Sequence, residues 1–175
     1  LMIKNYIERA ENEIVIAETL NKLSFDLDSK QSFDIDDKMT FYSSVISHSY
    51  YAIFYSAKAI LLTKNIKTSF PEVHKKTYEE FEEHFVKTGI LDVKLLEIYK
   101  EMIIKADYLL EIFKDLKIKR GKFTYKTIPQ ANKEPAEESL KNAKIFVSNI
   151  IKVIEDVWLP RFKFKNWIRN TSAVI

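Results

Sequence analysis

Glycine scarcity constrains this chain more than any motif in it: 175 residues contain two glycines and four prolines. A β-rich or doubly wound fold turns often and tightly, and its turns draw on Gly, Asn and Asp. Loops that cradle phosphates also depend on glycine, and neither GxGxxG nor GxxxxGK occurs. The length suffices for one domain with a substantial core. Long helices with few connections follow: an all-α, up-down helical bundle.

Hydrophobic spacing places the helices. In IKNYIERAENEIVIAETLNK, residues 3–22, Ile3, Ile7, Ala10, Ile14, Ala17 and Leu20 fall on roughly one stripe, as in an amphipathic helix. Ser and Asp then crowd LSFDLDSKQSFDIDDKM, and these residues favour turns and N-caps over helix interiors. A second helix is expected from Asp36 or Asp37 to about Lys64, before Pro71 disfavours helix at Phe70. A third covers 71–87 and ends at Gly89. The fourth runs from Asp92 to about Lys119, with Leu95, Ile98, Tyr99, Met102, Ala106, Leu109, Leu110, Phe113 and Leu116 at helical spacing. Residues 121–134 read as a loop. Pro135 and two glutamates then suit the positive first turn of a final helix, which Pro160 stops. This assigns 1–159 to the bundle and 160–175 to a basic, aromatic C-terminal extension.

The stretch SHSYYAIFYSAKAILL, residues 47–62, has the apolar density of a membrane segment. Ser47, His48, Ser49, Ser56 and Lys58 interrupt it, however, and a bilayer-facing helix would carry them at a cost. No membrane association is expected, and the stretch reads as the most buried helix of the bundle. Tyr50, Tyr51, Phe54 and Tyr55 have the spacing of core residues. Buried phenols need partners, so one or two could instead line a polar cleft.

The absence of cysteine excludes disulfides, Cys-ligated zinc and thiol catalysis, and is compatible with a reducing cytoplasm. His48, His74 and His84 have no metal-ligand spacing, so neither a metal nor a cofactor is expected. Charge in the first turns (Lys4, Glu8, Arg9, Glu11) argues against a secretory signal. The net charge is only +3, but it is unevenly spread. Five aspartates stand in 26–38, six basic residues in KDLKIKRGKFTYK (114–126), and Arg161, Lys163, Lys165 and Arg169 in the tail. Basic segments interleaved with rings suit RNA, where cations meet phosphates and rings stack on bases. A solvated lysine-rich surface would give the same counts.

Tyr50–Phe54 (YYAIF), His74 followed by His84–Gly89 (HFVKTG), and the Ala136–Phe146 helix together resemble the HEPN family (higher eukaryotes and prokaryotes nucleotide-binding), in its small stand-alone prokaryotic branch. The resemblance covers roughly residues 44–150. It implies a helical bundle that forms a homodimer, and a toxin that cleaves RNA without a metal and is neutralised by a nucleotidyltransferase antitoxin. The family signature is an arginine followed, after four to six residues, by a histidine, often a tyrosine in this branch. IIKADY (Ile103–Tyr108) and RGKFTY (Arg120–Tyr125) compete for that place, and the second keeps both arginine and tyrosine. It makes the stretch from Gly89 to Arg120 about four turns longer than in relatives, roughly 20 Å. Acidic 26–38 and basic 114–126 should then be neighbours at one end of the bundle, partly neutralising each other.

On that reading Arg120 holds the phosphate, and Lys119, Lys122 and Tyr51 are further nucleotide- or RNA-binding residues. A guanidinium stabilises charge developing on phosphorus oxygens. Tyr125 occupies the base position, where a phenol is a weak base at neutral pH; it could alternatively accept AMP. His48 is a substitute base if it faces the cleft, and otherwise a bonded histidine of the bundle. His74 and His84 are expected to brace the third helix. Arg161, Lys163 and Lys165 offer further RNA contacts in the tail, unless that tail packs Trp167 on the bundle. The alternative function is a non-catalytic module that binds a nucleotide, RNA or a protein partner.

Overall fold

The computed structural model describes residues 2–119 and 133–158, with backbone alone for 110–119, 157 and 158. Six α-helices make up the described chain: α1 (Met2–Phe25), α2 (Leu27–Ser32), α3 (Tyr42–Thr63), α4 (Val73–Phe81), α5 (Val93–Lys119) and α6 (Lys133–Trp158). A π-helical turn, Glu82–Val86, continues α4. No strand occurs among the described residues, so the all-α bundle expected from the sequence is the fold.

Side-chain pairs fix the helix directions. Glu13 of α1 meets His48 of α3, while Lys144 of α6 meets Glu18 of α1. Further along, Tyr6 meets Tyr55 and Phe25 meets Lys133, so both α3 and α6 run antiparallel to α1. Lys105 bridges Glu101 on its own helix and Glu138 of α6, at 2.6 and 2.8 Å, and with Tyr99 against Phe146 this sets α5 antiparallel to α6. Helix α3 occupies the centre and packs on α1, α4, α5 and α6. Its buried residues include Val45, Ile46, Tyr50, Ile53, Phe54, Ala57, Ile60 and Leu61. That density is why 47–62 looks like a membrane segment; no helix among the described residues is long and apolar enough to cross one.

The core is an aromatic joint between helices. Tyr99 of α5 lies edge-on to Phe81 of α4 and Phe146 of α6, with ring centroids 5.8 and 5.7 Å apart. Phe81 and Phe146 close the triangle at 5.4 Å. Edge-to-face geometry at these separations matches the ring quadrupoles. Along α6, Ala136, Leu140, Ala143, Phe146, Val147, Ile150 and Ile154 supply one buried stripe.

The second long helix starts at Tyr42 rather than near Asp36 or Asp37. Local bonds account for the shift. Asp26 caps α2 through the Ser29 amide, a short helix the sequence showed only as turn and cap residues. The Lys30 side chain is buried, with its ammonium on the Asp37 carbonyl. Asp34 is left-handed, and the Asp36 carboxylate accepts from the Lys38 amide. Residues 33–41 thus wrap around Lys30, and the chain becomes helical only after the Phe41 amide donates to Ser24 Oγ. Gly89, at φ +71, ends the π-helical segment where the sequence placed a stop. At this end of the bundle Lys133 Nζ lies 5.0 Å from the Phe25 ring, bringing the start of α6 beside the end of α1.

Candidate functional site

His48, Tyr51, Tyr55 and Lys58 recur at three- and four-residue steps and so share one face of α3. Helix α1 runs alongside and adds Tyr6, Arg9 and Glu13. At one end His48 Nδ1 is 2.6 Å from Glu13 Oε2, with the carboxylate the more buried partner. Tyr51 comes next and is exposed. Its ring stacks on Tyr55 at 6.1 Å, and Tyr55 stacks on Tyr6 at 6.2 Å. The Arg9 guanidinium sits 4.3 Å over the Tyr55 ring. Lys58 Nζ lies 5.2 Å from the Tyr6 ring centre and donates to the Thr68 carbonyl at 3.1 Å. The result is a strip of rings with two cations against their faces.

A second histidine joins this strip from the side. Glu72, in the left-handed region at φ +59, turns the chain into α4 and brings His74 into its first turn. His74 Nδ1 lies 2.7 Å from the Tyr50 hydroxyl. The imidazole rests on Phe54, centroids 4.2 Å apart, and meets Tyr51 edge-on at 6.4 Å. Its exposed remainder faces solvent. Burial against these rings lowers the His74 pKa, as does the Lys58 charge, while Asp107 of α5 opposes them. Burial also pushes the Tyr50 phenol upward, reinforced by the charges of Tyr51 and Asp107, so it stays protonated.

Chemically, the surface offers faces for stacking, guanidinium and ammonium groups for an anion, and two imidazoles with one nitrogen already held. Of the residues expected from the sequence, the structure brings His48 and Tyr51 together on α3. Tyr50 and Phe54 are core residues, Tyr55 is half-buried and Tyr51 alone of the four is open. Arg120, Lys122, Tyr125, Arg161, Lys163 and Lys165 lie outside the described residues, and Lys119 is described only as the last residue of α5. In the competing motif placement, Ile103 packs against the core, whereas Asp107 and Tyr108 are exposed. His84 pairs with Glu80 at 3.1 Å, a local brace within the α4 unit as expected. Among the described residues no cluster of three or more potential metal ligands forms.

Sequence reasoning missed the site role open to His74, Arg9 and Lys58. Arg9 and Glu13 are one turn apart on α1, a visible polar edge beside the apolar stripe. Nothing in the spacing of Tyr50 and His74 announces their bond.

Residues 28–154 match the HEPN domain family. The chain belongs to that family. Over 116 residues, 66% of this chain and 73% of the relative, it is 34% identical to a Methanocaldococcus jannaschii protein named "Putative toxin MJ0605". A second protein of that organism, named "Putative toxin MJ0142", is 32% identical over 99 residues, 57% of this chain and 54% of its own length. A Thermotoga maritima protein named "UPF0332 protein" is 28% identical over 114 residues, 65% of this chain and 74% of its own. The chain thus spans about three quarters of the first relative and about half of the second.

Proposed function

We propose that this chain is a HEPN toxin-like protein that acts on RNA in the cytoplasm, as a homodimer, under control of a nucleotidyltransferase antitoxin. One observation carries the RNA part of this reading: the strip Tyr51–Tyr55–Tyr6, with Arg9 over one ring and Lys58 over another, flanked by His48 and His74. Unpaired bases stack on rings, and cations beside them take the phosphates, an arrangement suited to single-stranded RNA. The relatives' names as toxins support the biological class. Metal-independent endoribonuclease activity is the chemistry proposed, with Arg120 as the phosphate-holding residue that the family resemblance implies.

A second reading has its own support. The Arg120–Tyr125 placement puts a phenol where the family signature has a histidine, and a phenol is a poor base near neutrality. The chain would then bind a nucleotide, RNA or a protein without cutting. Incubation of wild type and Arg120→Ala with labelled total RNA and tRNA in chelator separates these readings. Cleavage by wild type that fails in the variant is the expected result. Intact RNA with both folded proteins would retire the ribonuclease and leave the binding module.

A further inference from the structure

We propose that His74 is the proton-accepting residue of the RNA-cleaving site, and that Tyr50 is the residue that positions it. The inference rests on the ribonuclease reading above and names the group that does its acid–base work. A cut in RNA needs a base for the ribose 2′-hydroxyl, and Tyr125 is a weak candidate.

The geometry supplies that base from α4. His74 has one nitrogen committed: Nδ1 is 2.7 Å from the Tyr50 hydroxyl oxygen. Tyr50 is buried in α3, so its oxygen is a fixed reference point. In the proposed tautomer Nδ1–H donates to that oxygen, which leaves the Nε2 lone pair on an exposed residue. Phe54 supports the ring face at 4.2 Å, and Tyr51 stands edge-on, offering its own exposed ring for a base to stack on. The charged groups that act on the imidazole are Lys58 of α3 and Asp107 of α5, of opposite sign. Burial and Lys58 favour the neutral ring, the form a base requires.

In the step itself, Nε2 accepts the 2′-hydroxyl proton as that oxygen attacks the adjacent phosphorus. The bond from phosphorus to the 5′ oxygen breaks, and that oxygen leaves with a proton from water. The products are a 2′,3′-cyclic phosphate and a 5′-hydroxyl. The imidazolium later returns its proton to solvent, so no co-reactant is consumed.

The other described histidines fit less well. His48 is likewise held through Nδ1, by Glu13, but is less exposed than His74, and His84 is tied to Glu80 within the α4 unit.

The test uses full-length protein, a fluorophore–quencher RNA and its all-deoxy counterpart, with circular dichroism of each variant. For His74→Gln, kcat is expected to fall about a hundredfold, at the lower end of general-base effects, with KM within about threefold. His84→Gln should cleave like wild type. Tyr50→Phe should lower kcat about tenfold and move the acid limb of the kcat/KM profile to lower pH, because the hydrogen bond that favours protonated His74 is gone. A purely structural role for Tyr50 would leave that limb in place, and an unmoved limb overturns the pairing. Cleavage by folded His74→Gln within about threefold of wild type overturns the role of His74 while the ribonuclease reading stands. Failure of wild type to cleave the RNA overturns both.

Discussion

Tyr50 and His74 are 24 residues apart in sequence, yet the tyrosine hydroxyl and imidazole Nδ1 lie 2.7 Å apart. That contact joins the central helix α3 to the first turn of α4 and places a histidine at the edge of the ring strip. It also ties stability to pH. Burial, then the Lys58 charge, lower the folded His74 pKa from its ordinary value of 6.5. Between the folded value and 6.5 the unfolded chain holds more of that proton, so stability rises with pH there. The contribution is present above 6.5 and is lost as pH falls through the folded value. Urea midpoints measured from pH 7.5 down to 5 should fall more steeply in wild type than in His74→Gln; parallel curves would contradict the assignment.

The Glu13–His48 pair should couple α1 to α3. Its 2.6 Å contact is partly shielded, with the carboxylate side chain 14% exposed and the imidazole 31%. A double-mutant cycle of Glu13→Gln and His48→Gln should return a coupling of about 1 kcal/mol, the upper range for exposed ion pairs. A coupling indistinguishable from zero would mean the contact is not held in solution.

Two substitutions in the aromatic joint should move in different directions. Phe146 is fully buried against Phe81 and Tyr99, and Phe146→Ala should destabilise by about 3–5 kcal/mol through lost contacts and a cavity. The Tyr99 hydroxyl is buried and finds no hydrogen-bond partner among the described residues. Tyr99→Phe should therefore be neutral or stabilise by about 1 kcal/mol, since an unsatisfied polar group is removed. Thermal melts of both variants decide this, and a large loss for Tyr99→Phe would reveal a partner for that hydroxyl.

At Gly89 the cost should be conformational alone. A Cβ there meets nothing within 4 Å, but φ is +71. Gly89→Ala should lose about 1 kcal/mol, the cost of a left-handed alanine, with no change in core packing. A much larger loss on denaturant titration would point to a contact beyond the backbone.

Much of the architecture was legible because it rests on local rules. The 3–22 stripe became the buried and half-buried face of α1, with Ile7, Ala10 and Ala17 inside. Pro135 lies in the first turn of α6, and Gly89 closes the unit before α5. The start of α3 was not legible, because a buried Lys30 holds the Asp37 carbonyl and the Phe41 amide is tied back to Ser24, bonds that no helical period announces. The site was harder still. Tyr51 and His48 could be named from the family resemblance of their helix, although helical spacing alone reads the tyrosines as core. His74, in contrast, acquires its surroundings from α3 and α5 at once. Tertiary packing, not periodicity, made that corner.

Chemical-shift mapping with a short single-stranded RNA in chelator tests the central claim most directly: that the ring strip on α3 is where RNA sits. Ring and imidazole resonances of His48, Tyr51, Tyr55 and His74 should shift together and saturably, and Arg9→Ala should weaken the titration. Saturable binding that leaves those four residues unmoved, with shifts confined to the outer face of α6, would contradict it.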